Sequence, residues 1–221
     1  LATAAVEDYV RALYVLQEAR PGVAVSTSRL AARLAVTPAS ASGMLRHLAA
    51  LGLVRRTDYH GAQLTEQGER LALEMTRHHR LLEQFLHEVL AMPWDEVHRE
   101  ADMLEHALSE DVEARIAARL GDPLRDPHGD PIPNADLVVV ERPTCSLQEL
   151  AVGAGGRFVR ISDAEPAMLR YLDENRIRLG DRLEVVERLP FGEATTVRSP
   201  AGVRSIGDKL AKAMRIEVEA A

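Results

Sequence analysis

Apolar residues recur at helical spacing in the first part of the chain and then switch to the spacing of strands. Val6, Tyr9, Val10, Leu13 and Leu16 share one face of a helix from Ala5 to Ala19, which Pro21-Gly22 ends. Ser26 or Thr27 opens a second helix carrying Leu30, Ala31 and Leu34. Thr37 suits the N-cap and Pro38 the first position of a third helix, with Ala41, Met44, Leu45 and Leu48 inward and Gly52 closing it. Residues 53–56 and 62–64 read as strands joined by a turn at Tyr59-His60-Gly61. Two helices joined by a tight turn, followed by a hairpin, predict a winged helix-turn-helix.

The pattern then lengthens. One helix runs from about Thr65 to Leu90 and breaks at Met92-Pro93-Trp94; a second spans Asp95 to Ser109 and a third Glu110 to Leu120. Gly121 to Pro143 is dense in Pro, Asp and Gly and reads as a linker. Short β-like segments follow at 159–161, 182–186, 195–197 and 216–218, with a short helix from Pro166 to Leu172, and predict a small β-barrel. The chain thus divides into a winged helix over 1–68, a helical domain over 69–121, a linker over 122–145 and a β-domain over 146–221: mainly α, with a small β-domain.

Composition changes this picture little. Charged residues make up 28% and apolar residues 46%, as in ordinary globular domains. No run approaches a membrane span and the N-terminus lacks a basic–apolar signal pattern, so the expected compartment is the cytoplasm and no membrane partner is expected. The single Cys145 allows no internal disulfide. Charge is distributed unevenly: residues 1–65 carry +3, 66–125 carry −7 and 126–221 carry −3, within a net −7. A basic head on an acidic middle suits a DNA-facing domain joined to a cation-binding one.

The outward face of the third helix offers Ala39, Ser40, Ser42, Gly43, Arg46 and His47. Small residues let a helix sit deep in a major groove, where hydroxyls donate or accept and Ala touches a thymine methyl. Arg46, Arg55, Arg56 and His60 at the wing tip are candidates for phosphate contact. Thr27 and Ser28 begin the preceding helix, and Thr37 begins the recognition helix, where free backbone N–H groups favour a phosphate. Any one of these small residues equally suits a solvated helix; the whole arrangement points to double-stranded DNA.

Between residues 79 and 106 lie side chains able to bind a metal at helical spacings: His79 and Glu83, then His98, Asp102, Glu105 and His106. In a continuous helix the second group occupies an arc of roughly 100°. Carboxylates do not gather on a buried face without compensation, so the face is either solvated or holds a cation. Imidazole and carboxylate without thiolate suit a divalent first-row metal. His78 and His87 read as hydrogen-bonded or exposed histidines. The apolar surplus at Leu90, Trp94, Val97, Met103, Leu104 and Leu108 predicts a two-fold homodimer.

The segments His79-Arg80-Leu81-Leu82-Glu83 and Val97-His98, with Glu100-Ala101-Asp102 and Glu105-His106, resemble the diphtheria toxin repressor family of metal-dependent regulators. The opening Glu7-Asp8-Tyr9-Val10-Arg11-Ala12-Leu13-Tyr14, the Pro131-Ile132-Pro133 of the linker and the C-terminal β-domain resemble it too. The resemblance implies a homodimer that binds operator DNA when loaded with Mn²⁺ or Fe²⁺, with an SH3-like C-terminal domain. It implies a primary metal set of Asp8, Asp102, Glu105 and His106, and a second of His79, Glu83, His98 and Glu165. Iron-type members carry Met in place of Asp8 and Cys in place of Asp102, and often a Gln where this chain has Met168. Carboxylates at these places harden the site and lean toward Mn²⁺ as cofactor, with Fe²⁺ the alternative. Manganese members lacking the β-domain place a Glu where this chain has Arg11, so their closely spaced metal pair is not expected.

An enzyme of the di-metal carboxylate class is the competing reading, but that chemistry pairs a Glu-x-x-His from each of two helices, and Glu105-His106 lacks the spacing. No nucleophile–base pair is evident, so neither catalytic residues nor a small-molecule substrate are expected. A metal-independent DNA-binding protein is another alternative, separated by operator binding with and without a chelator. A Pro-peptide-binding β-domain is less favoured, with only Phe158, Phe191 and Tyr171 to line a groove.

Overall fold

The computed structural model describes residues 3–20, 22–57, 61–162, 164–189 and 194–218. The chain separates into two compact units: Leu1–His79 with Met103–Glu113 and Pro133–Val138, and Arg80–Asp102 with Ala114–Ile132 and Val139–Ala221. Among the described residues no helix is long and apolar enough to cross a membrane.

The first unit opens with α1 (Ala4–Glu18), α2 (Thr27–Arg33), α3 (Pro38–Ala50), β1 (Val54–Thr57) and β2 (Gly61–Leu64). Caps fix the two short helices. Ser26 Oγ accepts from Arg29 N–H at 3.3 Å, and Thr37 Oγ1 accepts from Ser40 N–H at 3.1 Å with Pro38 following it. Val6, Val10, Leu13, Leu30, Leu45 and Leu48 form the core that these helices share with Val54 and Ala62. Truncating a fully buried leucine such as Leu13 or Leu48 would cost ~2–5 kcal/mol. β1 and β2 pair antiparallel from Val54↔Leu64 to Thr57↔Gly61. Val25 bridges to Ala62 through reciprocal backbone hydrogen bonds of 2.8 and 2.9 Å. Gly61 is required there: φ is +102°, and a Cβ would lie 2.3 Å from the Val25 carbonyl oxygen.

α4 (Glu66–Leu90) begins behind Thr65, whose Oγ1 accepts from Gly68 N–H at 3.1 Å. α5 (Val97–Leu104) is followed by a 3₁₀ turn over Glu105–Ala107, and α6 covers Glu110–Leu120. The helix expected to run from Asp95 to Ser109 therefore stops at Leu104, and Glu105 and His106 are carried by the tighter turn. Residues of a 3₁₀ turn advance by a larger angle than those of an α-helix, so these two side chains leave the arc that helical spacing assigns them.

The second unit contains an antiparallel sheet in the order β3-β8-β4-β5-β6-β7. Its strands are β3 (Cys145–Ser146), β4 (Gly155–Ile161), β5 (Arg182–Arg188), β6 (Ala194–Ser199), β7 (Gly202–Gly207) and β8 (Met214–Val218). α7 (Pro166–Glu174) and α8 (Asp208–Ala213) complete it. Phe158, Ile161, Leu169, Leu172, Leu183, Val185, Val197, Ile206 and Ile216 form its core. β7 and α8 escape the sequence reading, and Phe191, named above as a groove-lining aromatic, lies outside the described residues.

The stretch expected as a linker holds a folded turn. Asp126 Oδ1 accepts from the backbone N–H of His128 and of Asp130, both at 2.9 Å, and Arg125 bridges to Pro131. Gly129, at φ +88°, packs where a Cβ would lie 2.0 Å from the Val159 carbonyl oxygen, while His128 O accepts from Ile161 N–H at 2.9 Å. The turn is thereby fastened to β4, and Asp126, His128 and Ile132 are buried.

Candidate metal centre

In the first unit, α1 supplies Glu7 and Asp8, α4 supplies His79, and the 3₁₀ turn supplies Glu105 and His106. The ligand atoms of Asp8, Glu105 and His106 all lie within 4.8 Å of one another. His106 Nε2 stands 3.1 Å from Asp8 Oδ1 and 3.7 Å from Glu105 Oε1. On the other edge of the ring, Nδ1–H donates to Glu7 Oε2 at 2.8 Å. Glu105 is buried; its Oε2 accepts from His79 Nδ1–H at 2.6 Å. Its Oε1 makes no hydrogen bond and stands 3.4 Å from Arg11 Nη2.

The electrostatics match a cation site. Burial raises the pKa of Asp8, and the negative charge of Glu105 adds to this against the pull of His106 and Arg11. Burial opposes the charged form of His106 but is outweighed by the hydrogen bond to Glu7 and the charges of Glu105 and Asp8, so its pKa is raised. The His106 ring and the Arg11 guanidinium thus stand where positive charge offsets the carboxylates, and a divalent ion could take over that part. A buried carboxylate oxygen that makes no hydrogen bond, with Arg11 at 3.4 Å and His106 at 3.7 Å, fits such an ion.

In the second unit a further group converges: Glu83, Asp126 and His128, all buried, with ligand atoms within 4.8 Å of one another. His128 Nε2–H donates to the Trp94 carbonyl at 2.6 Å, and its Nδ1 stands 3.8 Å from Glu83 Oε2. A carbonyl can only accept, so Nε2 carries a proton and Nδ1 is the ring nitrogen turned toward Glu83. His98 Nδ1–H donates to Glu83 Oε1 at 3.0 Å, and Asp102 Oδ2 lies 3.6 Å from His98 Nε2. Burial pushes the Asp126 carboxyl well up, reinforced by Glu83 and Asp130. Arg80 Nε approaches Asp126 Oδ2 at 3.8 Å.

Of the sequence-derived ligands, the first unit brings Asp8, Glu105 and His106 together, and the second brings Glu83, His98 and Asp102 into one chain of contacts. Glu165, at the start of α7, is ion-paired with Lys209. Glu7, Asp126 and His128 are additional. The signal for the last two was the run Asp126-Pro127-His128-Gly129-Asp130, set inside a segment whose composition resembles a linker. His78 is buried, its Nε2–H donating to Glu113 Oε2 at 2.9 Å, and His87 Nδ1–H donates to the Met92 carbonyl at 2.8 Å.

The DNA-reading candidates all belong to the first unit. Ser28, Thr37, Ala39, Ser40, Arg46, His47, Arg55 and Arg56 are exposed, and Thr27, Ser42 and Gly43 are half-buried. Thr37 is engaged as the cap of α3, and Arg46 Nη1 donates to Ser42 Oγ at 3.3 Å. His60 lies outside the described residues.

Known proteins share this plan. Residues 2–62 match the iron dependent repressor N-terminal DNA binding domain, 65–134 its metal binding and dimerisation domain, and 145–218 the FeoA domain. The iron-dependent repressor IdeR of Mycobacterium tuberculosis is 40% identical over 202 residues, covering 89% of this chain and 85% of that protein. The diphtheria toxin repressor of Corynebacterium diphtheriae is 30% identical, covering 96% of each. A solved manganese-dependent transcriptional repressor in complex with manganese superposes with a TM-score of 0.91 at 42% identity, covering 97% of this chain and 100% of that one. With the DNA-binding, dimerisation and FeoA parts all present, the chain belongs to the diphtheria toxin repressor family: it is a metal-dependent transcriptional repressor that binds operator DNA as a homodimer, and not an enzyme.

Proposed function

We propose that Mn²⁺ is the ion to which this repressor responds, with Fe²⁺ the alternative, and that it governs metal-uptake and homeostasis genes. The observation that carries the reading is the donor chemistry: both clusters offer carboxylate oxygen and imidazole nitrogen only. The one cysteine, Cys145, sits in β3 with its thiol directed to the Ile216 carbonyl. Mn²⁺ is the weakest binder of the divalent series at a mixed site, so removing sulfur removes what rewards its competitors. The manganese-bound repressor of the same architecture supports the same choice.

Asp8, Glu105 and His106 would hold the ion of the first unit, with Asp102 proposed as their partner from the sequence. In the second unit the burial and convergence of Glu83, Asp126 and His128 favour them as ligands, with His98 hydrogen-bonded to Glu83. His79 and Glu165 remain proposed ligands on the strength of the sequence pattern. A bound divalent cation would supply positive charge among these carboxylates. The test is operator binding under anaerobic, metal-buffered conditions. Mn²⁺ should activate it at free levels a cell can reach; indifference to Mn²⁺ with a response to Fe²⁺ would transfer the assignment to iron.

A further inference from the structure

Consecutive residues of α1 meet opposite nitrogens of one imidazole. Glu7 Oε2 accepts from His106 Nδ1–H at 2.8 Å, while Asp8 Oδ1 stands 3.1 Å from Nε2. Successive side chains of a helix point ~100° apart, so the pair can straddle a ring that either alone would only touch. We propose that Glu7 is the positioning residue of the Asp8–Glu105–His106 centre: it holds the Nδ1 proton and so assigns Nε2 to a divalent cation. The proposal rests on the reading of that cluster as a metal centre.

An imidazole presents a lone pair at one nitrogen only when its proton is held at the other. Nε2 is the nitrogen that faces Asp8 and Glu105, so Nδ1 must keep the proton for the cluster to close around an ion. Glu7 satisfies this requirement with a charge-assisted bond between two mostly buried side chains, which are 16% and 22% exposed. Its carboxylate lies at the Nδ1 edge, away from the converging ligand atoms, so it acts on the ion through the ring. A carboxylate behind a ligating histidine also makes the imidazole a better donor. Glu7 further belongs to the first turn of α1, where an acid favours the helix end irrespective of any metal, and the experiment must separate the two roles.

Full-length protein labelled with ¹⁵N at histidine would be titrated with Zn²⁺, a diamagnetic probe, in the wild type and in Glu7→Ala and Glu7→Gln. Long-range ¹⁵N–¹H spectra report which His106 nitrogen carries the metal, the resonance being assigned by its loss in His106→Gln. Glu7→Ala should weaken Zn²⁺ binding at this centre ~10–100-fold and abolish exclusive ligation through Nε2. Glu7→Gln discards the charge but keeps an acceptor oxygen, and should restore Nε2 ligation and most of the affinity. Wild-type affinity with intact Nε2 ligation in Glu7→Ala would overturn the proposal, as would a Glu7→Gln as impaired as Glu7→Ala. A wild type whose His106 resonances ignore Zn²⁺ would instead overturn the metal-centre reading beneath it.

Discussion

The Trp94 carbonyl receives the Nε2 hydrogen of His128, and the two rings stack with centroids 6.2 Å apart at 19° between planes. Trp94 is the only tryptophan of the chain, so its emission reports on one place. Paramagnetic Mn²⁺ bound by Glu83, Asp126 and His128 should quench it. Asp126→Asn keeps an acceptor for the turn's backbone N–H groups but loses a charged ligand, and should abolish saturable quenching in a fluorescence titration. Undiminished quenching in that variant would remove Asp126 from the ligand set.

Asp8 is the ligand proposed from α1 in the first unit, standing among Glu105 and His106 from the distant 3₁₀ turn. An ion shared between them links the DNA-binding helices to that turn, and it can shift the protein only through tighter binding to the ordered arrangement. Asp8→Ala should therefore lose metal-dependent operator binding while staying folded and dimeric by light scattering. Combining Asp8→Met with Asp102→Cys should move the response toward Fe²⁺ and Co²⁺ in metal-buffered DNA-binding titrations. Mn²⁺-activated operator binding that persists unchanged in Asp8→Ala would break the link.

Arg11 holds a guanidinium 3.4 Å from Glu105 Oε1, beside the carboxylates of the first cluster. Its fixed charge occupies electrostatic room that a second ion would need. Arg11→Glu should raise the Mn²⁺ content of this cluster from one ion to a closely spaced pair, visible as exchange-coupled lines in electron paramagnetic resonance. Isolated-ion spectra at saturation would show that Arg11 does not set the stoichiometry.

Glu113 links α6 to α4 by accepting from His78 and Arg77. The His78 hydrogen bond, followed by that from Arg77, depresses its pKa below the ordinary 4.5 despite burial. The folded value lies below the unfolded one, so its stabilisation is present above about pH 4.5 and is lost as pH falls through the folded value. Glu113→Gln should flatten the fall of thermal stability on acidification in that range, measured by calorimetry. An identical pH slope in the variant would assign acid sensitivity elsewhere.

How much of this was legible in the sequence depended on how local each determinant is. Thr37-Pro38 announces the start of α3 because cap and first turn are adjacent residues, and the structure starts the helix at Pro38. The chemistry of Glu105 and His106 could be read from their types, but not their placement, since the change from α-helix to 3₁₀ turn at Leu104 leaves no mark in the apolar spacing. Asp126 and His128 were hidden because Pro and Gly favour both a flexible linker and a tight turn. What makes this segment a turn is its docking on β4 through Gly129, a contact distant in sequence. Glu7 was visible as a residue but silent about its role, which depends on a histidine far along the chain.

The all-oxygen-and-nitrogen donor set has a consequence for life under oxidants. Thiolate ligands are the first protein groups that peroxide attacks, and a sensor that loses one to a sulfenate loses its metal and its grip on DNA together. Neither cluster here offers such a target among the described residues. Cys145 is half-buried, and burial, aided by the charge of Glu149, pushes its pKa up and keeps the sulfur as a poorly nucleophilic thiol. The proposed ligands therefore offer peroxide no sulfur to oxidise, and the metal response should outlast exposures that would disable a thiolate-ligated sensor.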